Sequence, residues 1–420
     1  MVFSMFSKQA SPILADFGSA SVKLLQISSG ERPVATAAAE LLIPEELRGQ
    51  AVDRKFEFFT KELPRTLSEN GFKGKRVVVS PMSGQMLVQH MQLGQADLPE
   101  DAIRSQLAQQ LNIDTSGVVV RSVPVQDGAG PNGKVEHVAF AMARDDVMRY
   151  VELFKRMRMQ VVAVHNELQA MLHAFDHIHR RAGDENVATL YVDLGWGSTK
   201  VAVGHGTRLV FAKCIAIGGR HFDQTVAQMF KCDLAAARVR RMSEDLLPLR
   251  QAPASKPHKS SEEGGLAILS AGMAQAEADA RLEPAETAVE TEVALEEERR
   301  GAKEPKALGV TVPQGTGPVK AAGEYGELLE SLADELSMCT RYHSACFPGK
   351  SIDRVVFLGG EARQIGLCQY LAESLHTAAK SGDPLSRLLG PTPPAGLPDA
   401  ALSHPSWAVV CGLASAPIDL

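Results

Sequence analysis

Residues 14–23 read LADFGSASVK, and residues 190–200 read LYVDLGWGSTK. Each is an apolar run that ends in an acid (Asp16, Asp193), turns at a glycine (Gly18, Gly195) and reaches a lysine (Lys23, Lys200). An acid at a strand end, followed at once by Gly18, Ser19 and Ser21, gives a tight turn lined with amide and hydroxyl donors, which suits a phosphate. A single stretch of this kind reads first as a plain β-hairpin with its charges solvated. The second copy changes that reading, because ATLYVDLGWGSTKVAVGHG lies over ILADFGSASVKLLQISSG with acid on acid, glycine on glycine and lysine on lysine. The chain carries an internal duplication at roughly domain spacing.

Composition bounds what the duplication can serve. The 420 residues are enough for two or three domains, and a net charge of −6 without a basic domain or tail argues against binding nucleic acid. Six cysteines (214, 232, 339, 346, 368 and 411) form no C-x-x-C pair, so neither a zinc site nor a disulfide framework is expected. The opening MVFSMFSKQASP lacks the regions of a signal peptide, and no run of about 18 apolar residues occurs, so the chain is expected not to span a membrane.

Away from the two hairpins, VATAAAELLI reads as a third strand and Asp53 to Glu69 as a helix. KGKRVVVS and MLVQHMQL add β-rich runs. DLPEDAIRSQLAQQL reads as a helix, with Ile103, Leu107 and Leu111 at helical spacing. VVVRSVPVQ and VEHVAFAMA form a hairpin across GAGPNG, a helix follows from Arg144 to Met157, and VVAVHNELQAMLHAFDHI is a strand passing into a helix. From Glu244 to Ala322 the composition turns to Ala, Glu, Pro and Gly in blocks of acid and base, and a disordered insertion is expected there. Order resumes at GELLESLADELSMCTRYH, an amphipathic helix.

VVFLGGEARQIGLCQYL is then a buried strand, a Gly359-Gly360 turn and a helix. Paired glycines at a strand end let the backbone approach a flat ligand and expose amides at a helix start. The order phosphate hairpin, connecting helix, phosphate hairpin and glycine turn resembles the actin, sugar kinase and Hsp70 superfamily of α/β proteins, whose two duplicated ribonuclease-H-like domains close over ATP and magnesium. Within it the chain resembles the PilM family, actin-like components of type IV pilus and type II secretion machines related to the division protein FtsA. The resemblance runs from DFGSASVKLLQI through DLPEDAIRSQLAQQLNID, VDLGWGSTKVAV, IAIGGRHFDQTVAQMF and RVVFLGGEARQIGL to WAVVCGLA.

That resemblance implies an organisation and a site. Residues 1–74 begin the first ribonuclease-H-like domain, 75–160 take the place of the 1C subdomain, and 161–187 form its connecting helix. Residues 188–243 begin the second domain, 244–322 are the insertion, and 323–420 complete the second domain and return a C-terminal helix to the first. Asp16 and Asp193 would hold Mg²⁺ through its waters, which suits a cation that dehydrates reluctantly. Gly18, Ser19, Ser21, Lys23, Gly195, Gly197, Ser198 and Thr199 would face phosphate oxygens, with Gly218, Gly219, Gly359 and Gly360 against adenosine. Glu167 stands where relatives carry an acid that can orient an attacking water, as phosphoryl transfer requires; read by itself it is an ordinary exposed helix glutamate. Three departures weigh against turnover: Asp223 in GGRHFD replaces a threonine, and Ala237 and Arg240 in AARVRR replace a glutamate and a lysine expected near the nucleoside. Trp196 is also bulky for a phosphate loop.

Three function classes follow. The first is a cytoplasmic assembly protein, peripheral at the inner membrane, that holds the N-terminal tail of a single-span PilN-like partner in a groove beside the 1C subdomain. The second, a small-molecule kinase of the same superfamily, lacks an evident substrate aspartate. The third, an FtsA-like division protein, would need an amphipathic C-terminal helix, which SWAVVCGLASAPIDL does not supply.

Overall fold

The computed structural model describes residues 10–30, 32–94, 99–111, 115–126, 133–246, 319–397 and 403–416. Most of the expected insertion, residues 247–318, lies outside the described residues. The chain divides into two compact units, Met1–Ser83 with Arg144–Ile178 and Gly382–Leu420, and Gly84–Ala143 with His179–Ser381.

In the first unit the opening strands β1 (Ile13–Phe17), β2 (Ser21–Ile27) and β3 (Ala35–Leu42) form an antiparallel meander. The buried runs β4 (Arg76–Ser80) and β8 (Gln160–Val164) add to it in parallel, giving the order β3-β2-β1-β4-β8. After the short helix α1 (Glu45–Arg48) comes α2 (Val52–Glu69), which buries Phe59, Leu63 and Leu67 at helical spacing. The Phe17 ring, next to Asp16, packs edge-on against Phe59 at 5.2 Å and against Tyr150 at 5.0 Å. Tyr150 lies on the later helix Arg144–Arg156, so one aromatic cluster locks two helices behind the strand that presents Asp16.

The second unit repeats the plan. Strands β9 (Ala188–Leu194), β10 (Thr199–His205) and β11 (Arg208–Ile215) form the meander, and β12 (Arg354–Leu358) and β13 (Ala379–Ser381) extend it in parallel in the order β11-β10-β9-β12-β13. Identical sheet order in both units is the duplication in three dimensions.

The small domain is narrower than residues 75–160. Its sheet holds β5 (Met86–Gly94), β6 (Val118–Pro124) and β7 (Lys134–Ala143) in the order β5-β7-β6, crossed by helix α3 (Pro99–Leu111). RVVVS and QVVAV instead enter the first unit's sheet: β4 is an interior parallel strand with Val77, Val78 and Val79 buried on both faces, and β8 is the edge strand beside it, burying Val161 and Ala163. One face of the small sheet packs on Ile103 and Leu107 of α3. The other meets β11, where the His90 ring lies 5.0 Å from that of Phe211 and Glu136 accepts a hydrogen bond from Tyr342 at 2.8 Å.

The remaining helices, in chain order, are α4 (Arg144–Arg156), α5 (Glu167–His173), α6 (Gly219–Phe230), α7 (Leu234–Ser243), α8 (Val319–Cys346), α9 (Leu367–Leu375) and α10 (Ala408–Gly412). Helix α10 packs against α5 so closely that a methyl group on Gly412 would overlap the Ala170 backbone. Among the described residues no helix is long and apolar enough to cross a membrane.

Candidate functional site

In the first unit Asp16, Lys23 and Glu40 form a row across three strands, since Asp16 pairs with Lys23 and Lys23 with Glu40. The turn closes where the Gly18 amide donates to the Ser21 carbonyl at 3.0 Å. Lys23 Nζ donates to Ser21 Oγ at 2.9 Å, Ser21 Oγ donates to Glu40 Oε1 at 2.7 Å, and Lys23 lies 3.4 Å from the same carboxylate oxygen. Asp16 is buried, and beside it on β4 stands Ser80, whose buried hydroxyl has no hydrogen-bond partner among the described residues. Glu167 opens α5 and is only 3% exposed, unlike the ordinary exposed glutamate that its sequence context suggests. Asn166 caps that helix by accepting from the Gln169 amide at 2.8 Å, and an acid in the first turn suits the helix dipole.

In the second unit the corresponding row is Asp193, Lys200 and Cys214. Lys200 Nζ turns to Asp193 itself, 3.3 Å from Oδ2. The Gly195 amide donates to Ser198 O at 3.1 Å, as in the first copy. Here the loop is also tied to the start of α6, because the amides of Gly219 and Arg220 donate to the carbonyls of Gly195 (3.0 Å) and Trp196 (2.8 Å). Thr199 Oγ1 donates to Ile217 O at 2.7 Å. A methyl group on Gly218 would lie 2.7 Å from Trp196 O. One on Gly359, whose φ is +86°, would strike the Asp193 carboxylate and the Leu194 backbone. The second unit thus gathers Asp193, Gly195, Gly197, Ser198, Thr199, Gly218, Gly219 and Gly359 at one place, while Gly360 faces open space.

Against those glycines sits an ionic cluster that the sequence did not announce. Arg241 of α7 is fully buried, with Nη2 2.7 Å from Asp223 Oδ1 and 2.6 Å from Glu361 Oε2. Its Nη1 donates to Gln364 Oε1 at 2.6 Å, and Gln364 Nε2 donates to Tyr325 Oη at 2.7 Å. Arg238 Nη1 lies 2.9 Å from Glu361 Oε1 and 3.4 Å from Asp223 Oδ2. Trp196 Nε1 donates to Asp223 Oδ2 at 3.2 Å, which ties the hairpin to the cluster. Burial raises the Asp223 carboxyl above its usual range, opposed by Arg241 and Arg238. Burial alone would lower the Arg241 pKa, yet Glu361 and Asp223 raise it, so the guanidinium stays charged.

A family model described as type IV pilus assembly protein PilM matches residues 15–253, more than half of the chain and both hairpins. The chain belongs to the PilM family. Among solved structures, that of a PilM-PilN type IV pilus biogenesis complex is similar at a TM-score of 0.67 and 16% identity, covering 97% of this chain and 98% of that one. The ethanolamine utilization protein EutJ from Carboxydothermus hydrogenoformans is similar at 0.44 and 11% identity (97% and 93% covered), and MreB 5 of Spiroplasma citri bound to AMPPNP at 0.43 and 12% (91% and 94%). No curated protein matches. The fold of this PilM-family chain is actin-like, with the duplicated sheets as its two halves.

Where nucleotide is concerned, the two ends of the second unit's site differ. The charged groups of the hairpin end suit a phosphate and a hydrated cation: the buried Asp193 carboxylate and the Lys200 ammonium converge there beside a tight glycine turn. Among the described residues no group of three or more His, Cys, Asp or Glu side chains is placed to hold a metal ion directly. The nucleoside end departs from the expected pattern. Ala237 is buried, and Arg240 points to Glu244 (2.9 Å) and the Phe230 ring (3.4 Å), so the guanidinium groups that pair with Glu361, the carboxylate beside Gly219, are those of Arg238 and Arg241. Their spacing of three on one helix, with the acid that follows Gly359-Gly360, is the signal that sequence reading passed over.

Proposed function

We propose that this chain is a cytoplasmic assembly protein of a type IV pilus or related secretion machine. It binds ATP with Mg²⁺ and holds the N-terminal tail of a single-span, PilN-like inner-membrane partner. The observation that carries the reading is the paired aspartate hairpin on two sheets of identical order in a PilM-family chain. Asp16 and Asp193 would hold the cation through its waters, and the hairpin amides, Ser19, Ser198, Thr199 and the two lysines would receive the phosphates. The cation supplies charge neutralisation of the phosphate oxygens. Glu167 is the carboxylate assigned to orient a water if the phosphate is cleaved.

The small domain supports the tail-binding part. One face of its sheet is covered by α3, and β11 meets the other and the β5 edge strand, where the Ala212 amide donates to His90 Nε2; the β6 edge is the one where backbone donors and acceptors would receive an extended chain. A peptide copying the N-terminal cytoplasmic tail of a PilN-like single-span protein tests it. Titration should give saturable binding and slow amide hydrogen exchange in Val118–Pro124. Saturable binding with protection elsewhere would displace the tail from this edge, and absence of binding would remove the tail from the reading.

A further inference from the structure

Paired glycines are useful to a ligand only if the space beside their Cα atoms is left for it. At Gly360 that space is open. At Gly219 it is taken: a methyl group there would meet the Glu361 carboxylate, whose Oε2 lies 2.8 Å from the point. Glu361 is not a loose side chain that a guest could brush aside. It is 2% exposed and paired with both Arg238 and Arg241, and Arg241 is held in turn by Asp223 and Gln364. Displacing it would leave two guanidinium groups, one of them fully buried, to share Asp223 alone. Gln364 and Tyr325 carry the network on to α8, so three other elements, α6, α7 and α8, brace the segment that carries this carboxylate.

We propose that Glu361, braced by Arg238 and Arg241, occupies the nucleoside end of the site and sets its ligand class. The chain takes a magnesium-bound polyphosphate through the Asp193 hairpin, and Glu361 closes the Gly219 side to a nucleoside, leaving it only the open face of Gly360. The proposal rests on the phosphate-binding reading above and narrows it: ATP is held by its phosphates, and base and ribose add nothing. Gly219 is then a packing residue whose missing side chain makes room for Glu361.

Calorimetric titration of the full chain with ATP, UTP and tripolyphosphate, each with Mg²⁺, tests this. The wild-type protein should bind all three with affinities within about threefold of one another. The double variant Glu361→Gly/Arg238→Ala removes one charge of each sign and leaves the Arg241–Asp223 pair. It should bind ATP at least tenfold more tightly than the wild type, with tripolyphosphate unchanged. Wild-type binding of ATP tenfold or more above tripolyphosphate and UTP would overturn the proposal and leave nucleotide binding standing, as would a folded variant with no gain for ATP. Near-ultraviolet circular dichroism reports whether the variant folds; if it does not, the three wild-type titrations decide alone. If neither protein binds any of the three at millimolar concentration, the phosphate-binding reading fails and this inference with it.

Discussion

The two hairpins share a backbone and differ in where the lysine spends its charge. In the first unit Lys23 is engaged by Ser21 and Glu40, one strand away from Asp16. In the second, the third strand offers Cys214 instead of an acid, and Lys200 turns to Asp193. The first copy therefore balances its lysine within its own sheet, and the second couples its lysine to the acid at the strand end. The same contrast continues beyond the next parallel strand. After β4 the chain runs Pro81-Met82-Ser83, while after β12 it runs Gly359-Gly360-Glu361 into the ionic cluster. Duplication preserved the turn that can meet a phosphate and let the surroundings diverge.

Substitutions can break or sharpen this contrast. The largest effect is expected at Arg241, which only the second unit possesses. Arg241→Met strands Asp223 and Glu361 with Arg238 alone and should cost about 3–5 kcal/mol in denaturant unfolding, as breaking one side of a buried ion pair does. Gly359→Ala comes next, at roughly 2–4 kcal/mol, since φ is +86° and the new methyl group meets Asp193 and the Leu194 backbone. Smaller still is the lysine contrast, read as affinity for Mg²⁺–tripolyphosphate. Lys200→Met should weaken it about tenfold, whereas Lys23→Met should weaken it only about threefold because Glu40 already draws that charge. Equal losses would show that the Glu40 contact does not matter.

The smallest effect is expected with pH. Where the first copy has Ser28, the second has His205, whose Nε2 lies 2.7 Å from that of His343. Burial, with His343, Lys350 and Arg208 nearby and Asp353 opposing, pushes His205 down to about 4, and burial also lowers His343. The unfolded chain thus binds more protons than the folded one between about 4 and 6.5. This contribution to stability is complete above pH 6.5 and is lost as the pH falls towards 4. Urea midpoints followed across that range should show the loss, and His343→Gln should flatten the slope.

Much of this was legible in the sequence, for identifiable reasons. The duplication could be read because Asp, Gly and Lys recur at fixed offsets on strands that alternate or run apolar, and both meanders form there. The limits of the small domain could not. RVVVS and QVVAV are short, mostly apolar runs that fit a strand of either sheet, and only the pairing of β4 with β1 and of β8 with β4 assigns them. The ionic cluster was hidden for another reason. The burial of Arg241 and Glu361, and the pairing of Arg238 with Glu361, arise from the meeting of segments far apart in the chain, which no local pattern marks. Glu167 was legible as an acid at a helix start, but its burial was not.

The proposed function gives the Asp16 hairpin and the Asp193 hairpin each a part in binding Mg²⁺–ATP, which substitution of either acid tests. Mg²⁺–ATP is titrated calorimetrically into the wild-type chain, Asp16→Ala and Asp193→Ala. Either substitution should weaken binding at least tenfold, although the two acids belong to separate sheets. If one of the two variants binds as the wild type does, its hairpin is a structural turn and takes no part in the binding.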